Sequence, residues 1–257
     1  MTFIDTHTHC SDEAFRGEED ALIESAVAAG VEWMLQADVD SRERGRMLDL
    51  VARHPAHLRA MLGLYPGSVD RGWNKEFEAV LALAQGDVPF VALGEIGLDY
   101  HYGGEFRAEQ LEAFRAQLEL AASLDLPVNI HLREATDDFF HVLDDVRHLG
   151  IRGNLHAFSG SWETFLRVQR YGDWRVGIGG VVTFKKASLA ETVKKIPLER
   201  ILLETDSPYL TPAPFRGRRN DSTMIPVIAA KVAELQGVSV EQVAEVTTRN
   251  AKELFAI

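Results

Sequence analysis

Four histidines and two carboxylates stand at the ends of short apolar runs. His7 and His9 close Phe3-Ile4-Asp5-Thr6-His7-Thr8-His9, and Glu95 closes Val91-Ala92-Leu93-Gly94-Glu95. His131 closes Val128-Asn129-Ile130-His131, His156 closes Asn154-Leu155-His156, and Asp206 follows Ile201-Leu202-Leu203-Glu204-Thr205. Imidazole nitrogen and carboxylate oxygen with almost no sulfur is a ligand set for zinc, manganese or magnesium. His7 and His9, two apart on a strand, share a face and can reach one ion. Glu95 has two oxygens and can bridge two ions, and His131 and His156 would hold the second. Asp206 would complete the first and accept a proton from attacking water. The expectation is hydrolysis assisted by two divalent ions per chain, with Glu95 and Asp206 as its catalytic carboxylates. Asp5 faces the same way in a regular strand, either as orienter of a ligand or as a structural, hydrogen-bonded carboxylate.

Positioning such a set requires strands whose ends meet. A run of four to eight apolar residues bounded by turn formers reads as a buried strand. Eight are expected, at 3–9, 31–35, 58–64, 90–95, 127–131, 153–156, 175–178 and 200–204. Between them lie helical patterns at 18–29, 42–54, 77–84, 107–124, 135–149, 162–171 and 187–195, with two more at 224–236 and 240–255. This alternation predicts an α/β fold of the TIM (β/α)8 type, with parallel strands and an outer ring of helices, in a single domain over 1–257. All carboxyl ends then face one mouth, where residues far apart in sequence converge.

Bulk properties narrow the partners. The chain has 257 residues, 46% hydrophobic and 26% charged, enough for a sizeable core. No run approaches the roughly 18 apolar residues of a membrane span, and the first residues lack a basic region followed by an apolar one, so a cytoplasmic protein is expected. The lone Cys10 excludes an intrachain disulfide and reads as a small buried hydrophobe. A formal charge of -12 argues against coating of nucleic acid, so any bound phosphate needs local positive charge. His54, His57, His141 and His148 read as structural or solvated, whereas His101, in the loop after the fourth strand, is a candidate substrate contact.

Six blocks resemble the TatD family of metal-dependent deoxyribonucleases, in the family's order and over nearly the whole chain. They are Phe-Ile-Asp-Thr-His-Thr-His at 3–9, Gly-Glu-Ile-Gly-Leu-Asp-Tyr at 94–100, Asn-Ile-His-Leu-Arg-Glu-Ala at 129–135, Asn-Leu-His-Ala-Phe-Ser-Gly-Ser at 154–161, Leu-Leu-Glu-Thr-Asp-Ser-Pro-Tyr-Leu at 202–210 and Arg-Gly-Arg-Arg-Asn at 216–220. The resemblance implies that His7, His9, Glu95 and Asp206 bind one ion and Glu95, His131 and His156 the other. It implies phosphodiester hydrolysis, with a 3′ to 5′ exonuclease role on single-stranded DNA. DNA is then the partner, and a monomer is favoured.

Beside these, Glu204 shares a face with Asp206 and could support a ligand or close a strand-end salt bridge. Arg133 could hold phosphate bidentately. Arg216, in the arginine-rich loop 211–220, is the better candidate for substrate than Arg218 or Arg219, and Lys185 and Lys186 could line the same mouth. One departure stands out: where many relatives carry histidine after the third strand, this chain has Tyr65 in Gly63-Leu64-Tyr65-Pro66-Gly67, a hydrogen-bond donor but a poor proton shuttle at neutral pH. Two other enzymatic readings stay open, an amidohydrolase or lactonase and a deacylase of mischarged transfer RNA, since activated water also attacks carbonyl carbon. The fourth strand ending in Glu95, where many such enzymes use a carbamylated lysine, favours the nuclease. A reading of another class is a non-catalytic metal-binding protein that keeps the fold.

Overall fold

A computed structural model describes residues 1–101, 103–185 and 187–257. The described chain alternates β1 (Phe3–Thr8), α1 (Glu19–Ala28), β2 (Val31–Gln36), α2 (Ser41–Arg53), β3 (Leu58–Ala60), α3 (Trp73–Ala84), β4 (Leu93–Asp99), α4 (Arg107–Ser123), β5 (Val128–Arg133), α5 (Thr136–Asp145), β6 (Gly153–Leu155), α6 (Trp162–Val168), β7 (Trp174–Ile178), α7 (Leu189–Val193), β8 (Ile201–Leu203), α8 (Ile225–Gln236) and α9 (Val240–Phe255). It is the TIM-type arrangement that the alternation predicts. All neighbouring strands pair in parallel, β1-β2-β3 in one ladder and β4 to β8 in another.

Two seams separate the ladders, and both carry backbone hydrogen bonds. At the first, Leu62 bridges Leu93, with Leu62 N–H donating to Ala92 O and Gly94 N–H to Leu62 O. At the second, Asp206 N–H donates to His7 O and His9 N–H to Ser207 O, both at 2.9 Å. The second seam therefore runs through the candidate ligands themselves.

Helix caps follow the sequence. Asp40, Ser161 and Ser239 accept backbone N–H groups at the starts of α2, α6 and α9, and Gly237 takes the left-handed conformation that ends α8. α9 buries Val243, Ala244, Thr247, Asn250, Ala251 and Leu254, a helical spacing. Ala251, Leu254 and Phe255 pack with Ile4, Leu35, Met61 and Leu202 in one apolar cluster. Asn250 Nδ2 donates to Leu198 O and Ile201 O, both at 2.9 Å, which satisfies carbonyls before and at the start of β8.

Several strands are displaced from their predicted bounds, with a consequence for the site. β3 stops at Ala60 rather than 64, because its continuation leaves the ladder for the seam at Leu62. β4 starts at Leu93 and runs to Asp99, so Glu95 sits inside a strand buried along its whole length instead of at its end. His131 is likewise inside β5. His7, Glu95 and His131 therefore stand within strands, whereas His9, His156 and Asp206 follow strand ends.

Candidate metal centre

The six predicted ligands come together. Three overlapping groups, His7-His9-Glu95, Glu95-His131-His156 and His7-His156-Asp206, each bring their ligand atoms within 4.8 Å of one another. Glu95 is the hinge of the arrangement. Its Oε1 lies 2.7 Å from His131 Nδ1 and 2.9 Å from His156 Nε2, while its Oε2 lies 3.4 Å from His7 Nε2 and 3.7 Å from His9 Nε2. Asp206 Oδ1 stands 3.5 Å from both His7 Nε2 and His9 Nε2. Asp206 holds a left-handed backbone, φ 55°, which few residues other than glycine adopt, and aspartate is among those few.

Glycine makes room for this geometry. A Cβ on Gly97, at φ 143°, would lie 2.0 Å from His131 O, so only glycine lets β4 pass β5 so closely. A Cβ on Gly177 would overlap Glu204 Oε2 at 1.8 Å.

Two of the ring nitrogens that do not face the cluster, on His7 and His131, are held from behind by hydrogen bonds. Asn129 Nδ2 donates to Thr6 O at 3.2 Å, which turns Asn129 Oδ1 toward His7 Nδ1 at 3.0 Å. His7 Nδ1 must then carry the proton, leaving an Nε2 lone pair aimed at Glu95 and Asp206. Asp99 Oδ2 lies 3.0 Å from His131 Nε2 and fixes that ring in the same way, with Nδ1 toward Glu95. Glu204, fully buried, accepts the Ala157 N–H, and its Oε1 forms an ion-pair contact with His156 Nδ1 at 3.6 Å, behind that ring and beyond hydrogen-bond distance. Asp99 and Asn129 were not singled out from the sequence, because their partners lie on other strands. Carboxylates behind metal-binding histidines raise ligand basicity, and losing one costs 10–100-fold in metal affinity or activity. Asp99→Ala is accordingly expected to weaken divalent-metal affinity by about 10–100-fold; a titration with unchanged affinity would assign Asp99 a purely structural role.

Electrostatics and donor chemistry suit cations. Burial pushes the Glu95 carboxyl up, but His156, His7 and His131 outweigh it and hold the group well below the usual carboxylate range. Asp206 is lowered too, burial again opposing and His9, His156 and His7 prevailing. Burial disfavours imidazolium at His156, yet Glu95 and Glu204 raise it well above its ordinary value. A buried and a half-buried carboxylate held ionised, with a histidine lone pair directed at them, form a donor set that a divalent ion fits.

Asp5 departs from the shared face. A register irregularity lies between Asp5 and Thr8, and the Asp5 carboxylate accepts from Thr205 N–H at 3.0 Å, Thr205 Oγ1 at 2.6 Å and Ser222 Oγ at 2.7 Å. It clamps β1 to the segment after β8 and is the structural carboxylate of the two readings. Burial raises its pKa from 3.8 to about 7 against those hydrogen bonds. The folded protein thus keeps a proton there that the unfolded chain releases. Stability linked to Asp5 is full below about pH 4 and is lost as pH rises through 7. Relative to Asp5→Asn, the parent is expected to lose roughly 2–4 kcal/mol of unfolding free energy between pH 4 and 8. Urea titrations of both proteins measure this, and a pH-independent difference contradicts it.

A cleft of about 610 Å³ opens over the cluster, lined by Asp12, Val39, Glu43, Tyr65, Leu132, Arg133, Ala157, Ser159, Val181, Tyr209 and Leu210 besides His9, Glu95, His131, His156 and Asp206. Tyr65 stands edge-on to His131, ring centroids 5.2 Å apart. Among the substrate candidates, Tyr65 and Arg133 line this cleft and His101 and Arg216 do not. The His101 ring is drawn to Glu134 Oε1 at 2.7 Å, and the Arg216 guanidinium lies 4.2 Å over the Phe184 ring. Lys186 lies outside the described residues. The sequence reading missed Asp38, whose backbone meets both Gly94 O and Glu95 N–H at 3.1 Å and whose carboxylate is held by the buried Arg44 at 2.6 Å. Cys10 is fully buried, its thiol pushed up to about 11 by burial. Both agree with a small hydrophobe.

Barrel and donor set together define a class, the barrel hydrolases that depend on metal ions. A family model described as TatD related DNase matches residues 4–256. The chain is 36% identical to the uncharacterized metal-dependent hydrolase YabD of Bacillus subtilis, over 99% of each protein. It is 32% identical to the 3'-5' ssDNA/RNA exonuclease TatD of Erwinia amylovora, over 99% of this chain and 100% of that one. The crystal structure of YjjV, a TatD homologue from Escherichia coli, superposes with a TM-score of 0.93 at 30% identity, covering 99% of this chain and 98% of that one. The chain belongs to the TatD-related DNase family of metal-dependent hydrolases.

Proposed function

We propose that the protein hydrolyses phosphodiester bonds of single-stranded DNA from the 3′ end, using two divalent cations. The observation that carries this reading is Glu95, one oxygen facing His131 and His156 and the other facing His7 and His9. His7, His9, Glu95 and Asp206 would hold one ion, and Glu95, His131 and His156 the second. Bound there, the pair supplies Lewis-acid polarisation of phosphoryl oxygen and activation of water. Asp206, kept ionised, accepts the proton that the attacking water loses. Arg133 and Tyr65, both at the cleft wall, donate hydrogen bonds to the phosphoryl oxygens. The relative named an exonuclease supports the choice of a nucleic-acid strand.

The test is metal analysis of the purified protein together with a substrate panel in manganese, magnesium and zinc. Shortening of single-stranded DNA from its 3′ end, abolished by a chelator and restored by metal, is the expected result. Turnover of a lactone or acyl ester with no cleavage of DNA would overturn it in favour of carbonyl chemistry, and turnover of neither would favour the binding-only reading.

A further inference from the structure

Charge is distributed unevenly around the rim of the cleft. Asp12, from the loop after β1, and Glu43, in the first turn of α2, make one stretch of the lining acidic. Tyr209, 56% exposed, belongs to that stretch, its hydroxyl donating to Asp12 Oδ2 at 3.2 Å. Another stretch, Val181 and Leu210, continues outward into two loops that are fastened together. Ala213 N–H donates to Thr183 Oγ1 at 2.7 Å, and a Cβ on Gly180 would meet Leu210 O at 2.0 Å. Asn220 Nδ2 donates to Thr205 O at 2.9 Å and Tyr209 O at 2.6 Å, and Thr211 Oγ1 to Arg218 O at 2.6 Å, so the arginine-rich loop is held at both ends.

On that fastened pair of loops the Arg216 guanidinium lies 4.2 Å from the Phe184 ring centroid and the Arg218 guanidinium 5.9 Å from the Phe215 centroid, with exposed Lys185 next to Phe184. Among the described residues, no carboxylate pairs with Arg216 or Arg218, whereas neighbouring Arg219 donates to Glu18 Oε2 at 2.6 Å. In a chain with 39 acidic residues against 27 basic ones, exposed guanidinium groups left to rings instead of carboxylates keep their N–H edges available to an anion. Exposed guanidinium groups repeated along a ridge are the chemistry that tracks the phosphates of a single strand.

We propose that this ridge carries the part of a single-stranded DNA chain that lies outside the cleft: Arg216, Arg218 and Lys185 bind successive phosphates beyond the scissile nucleotide, while Asp12 and Glu43 keep the strand off the acidic stretch of rim. The inference rests on the nuclease reading and adds the direction in which the strand leaves the cleft. It also returns Arg216 to the substrate, at a distance from the reacting phosphate instead of within the cleft.

The test is fluorescence anisotropy with labelled oligo(dT) of 15 nucleotides and a labelled dinucleotide, in chelator so that no strand is cut, using the parent and the double variant Arg216→Glu, Arg218→Glu. Both side chains are exposed, and thermal melting checks that the variant stays folded. The variant is expected to weaken binding of the 15-mer about tenfold more than that of the dinucleotide and to reduce the slope of log Kd against log salt by about 1.4, two phosphates at 0.7 each. Equal losses for both lengths, an unchanged slope, or a parent that binds the 15-mer no more tightly than the dinucleotide would overturn the ridge. Failure of the nuclease reading is a separate result, absence of cleavage by the metal-loaded parent.

Discussion

Glu95→Ala is expected to remove hydrolysis, lowering kcat/KM by at least about a thousandfold, and to lower bound divalent metal from the two ions proposed per chain toward none. The first half follows from energetics: charge stabilisation by bound cations amounts to several kcal/mol at the transition state, and about 4 kcal/mol is a factor of a thousand. The second follows from geometry, because each Glu95 oxygen faces a different pair of histidines and one truncation deprives both sites. Glu95 is 4% exposed, and its truncation leaves His156, raised by Glu95 and Glu204, with Glu204 and Asp206 as its carboxylate neighbours. Elemental analysis of parent and variant after dialysis reads the metal, and an oligonucleotide assay reads the rate. A variant that keeps both ions would show that Glu95 is no shared ligand, whatever became of activity.

Asp206→Asn is expected to separate proton transfer from metal retention. Its carboxylate is held ionised by His9, His156 and His7 against the opposing effect of burial, which suits a base at neutral pH. Amide nitrogen and oxygen cannot take that proton, so kcat is expected to fall by about 10²–10⁴, the usual worth of a general base. Metal content is expected to fall by no more than one ion, since the Glu95-His131-His156 group does not include Asp206. Single-turnover rates beside elemental analysis distinguish the two effects. A variant with parental kcat and one ion missing would make Asp206 a ligand only, and the proton acceptor would have to be found elsewhere in the cleft.

Much of this was legible in the residues. Alternation with period two put His7 and His9 on one face of one strand, and their Nε2 atoms lie 3.2 Å apart. Apolar spacing of three and four gave α9 its bounds, Val240–Phe255, without error. The ordered run of strand and helix was enough for a TIM-type barrel, because a crossover of helical length between buried strands has one common solution.

Other features depended on contacts the sequence does not encode locally. Period-two reasoning put Asp5 beside His7, but the register irregularity after it sends its carboxylate to Thr205 and Ser222, 200 and 217 residues away. Asp99 and Asn129 carry no motif that marks them as holding histidines, since the rings they hold, His131 and His7, lie on neighbouring or sequence-distant strands. His101, in the loop after the fourth strand, and Arg216, in the arginine-rich loop, were substrate candidates beside Arg133, yet a glutamate draws the one and an aromatic face the other off the cleft wall. The sequence by itself determined which side chains could bind metal and that they lie on or just past strands, because side-chain type and strand period are local properties. Only the tertiary structure decided which nitrogen of each ring faces the cluster and which carboxylate stands behind it, because those depend on strand register and seam contacts set by packing across the whole barrel.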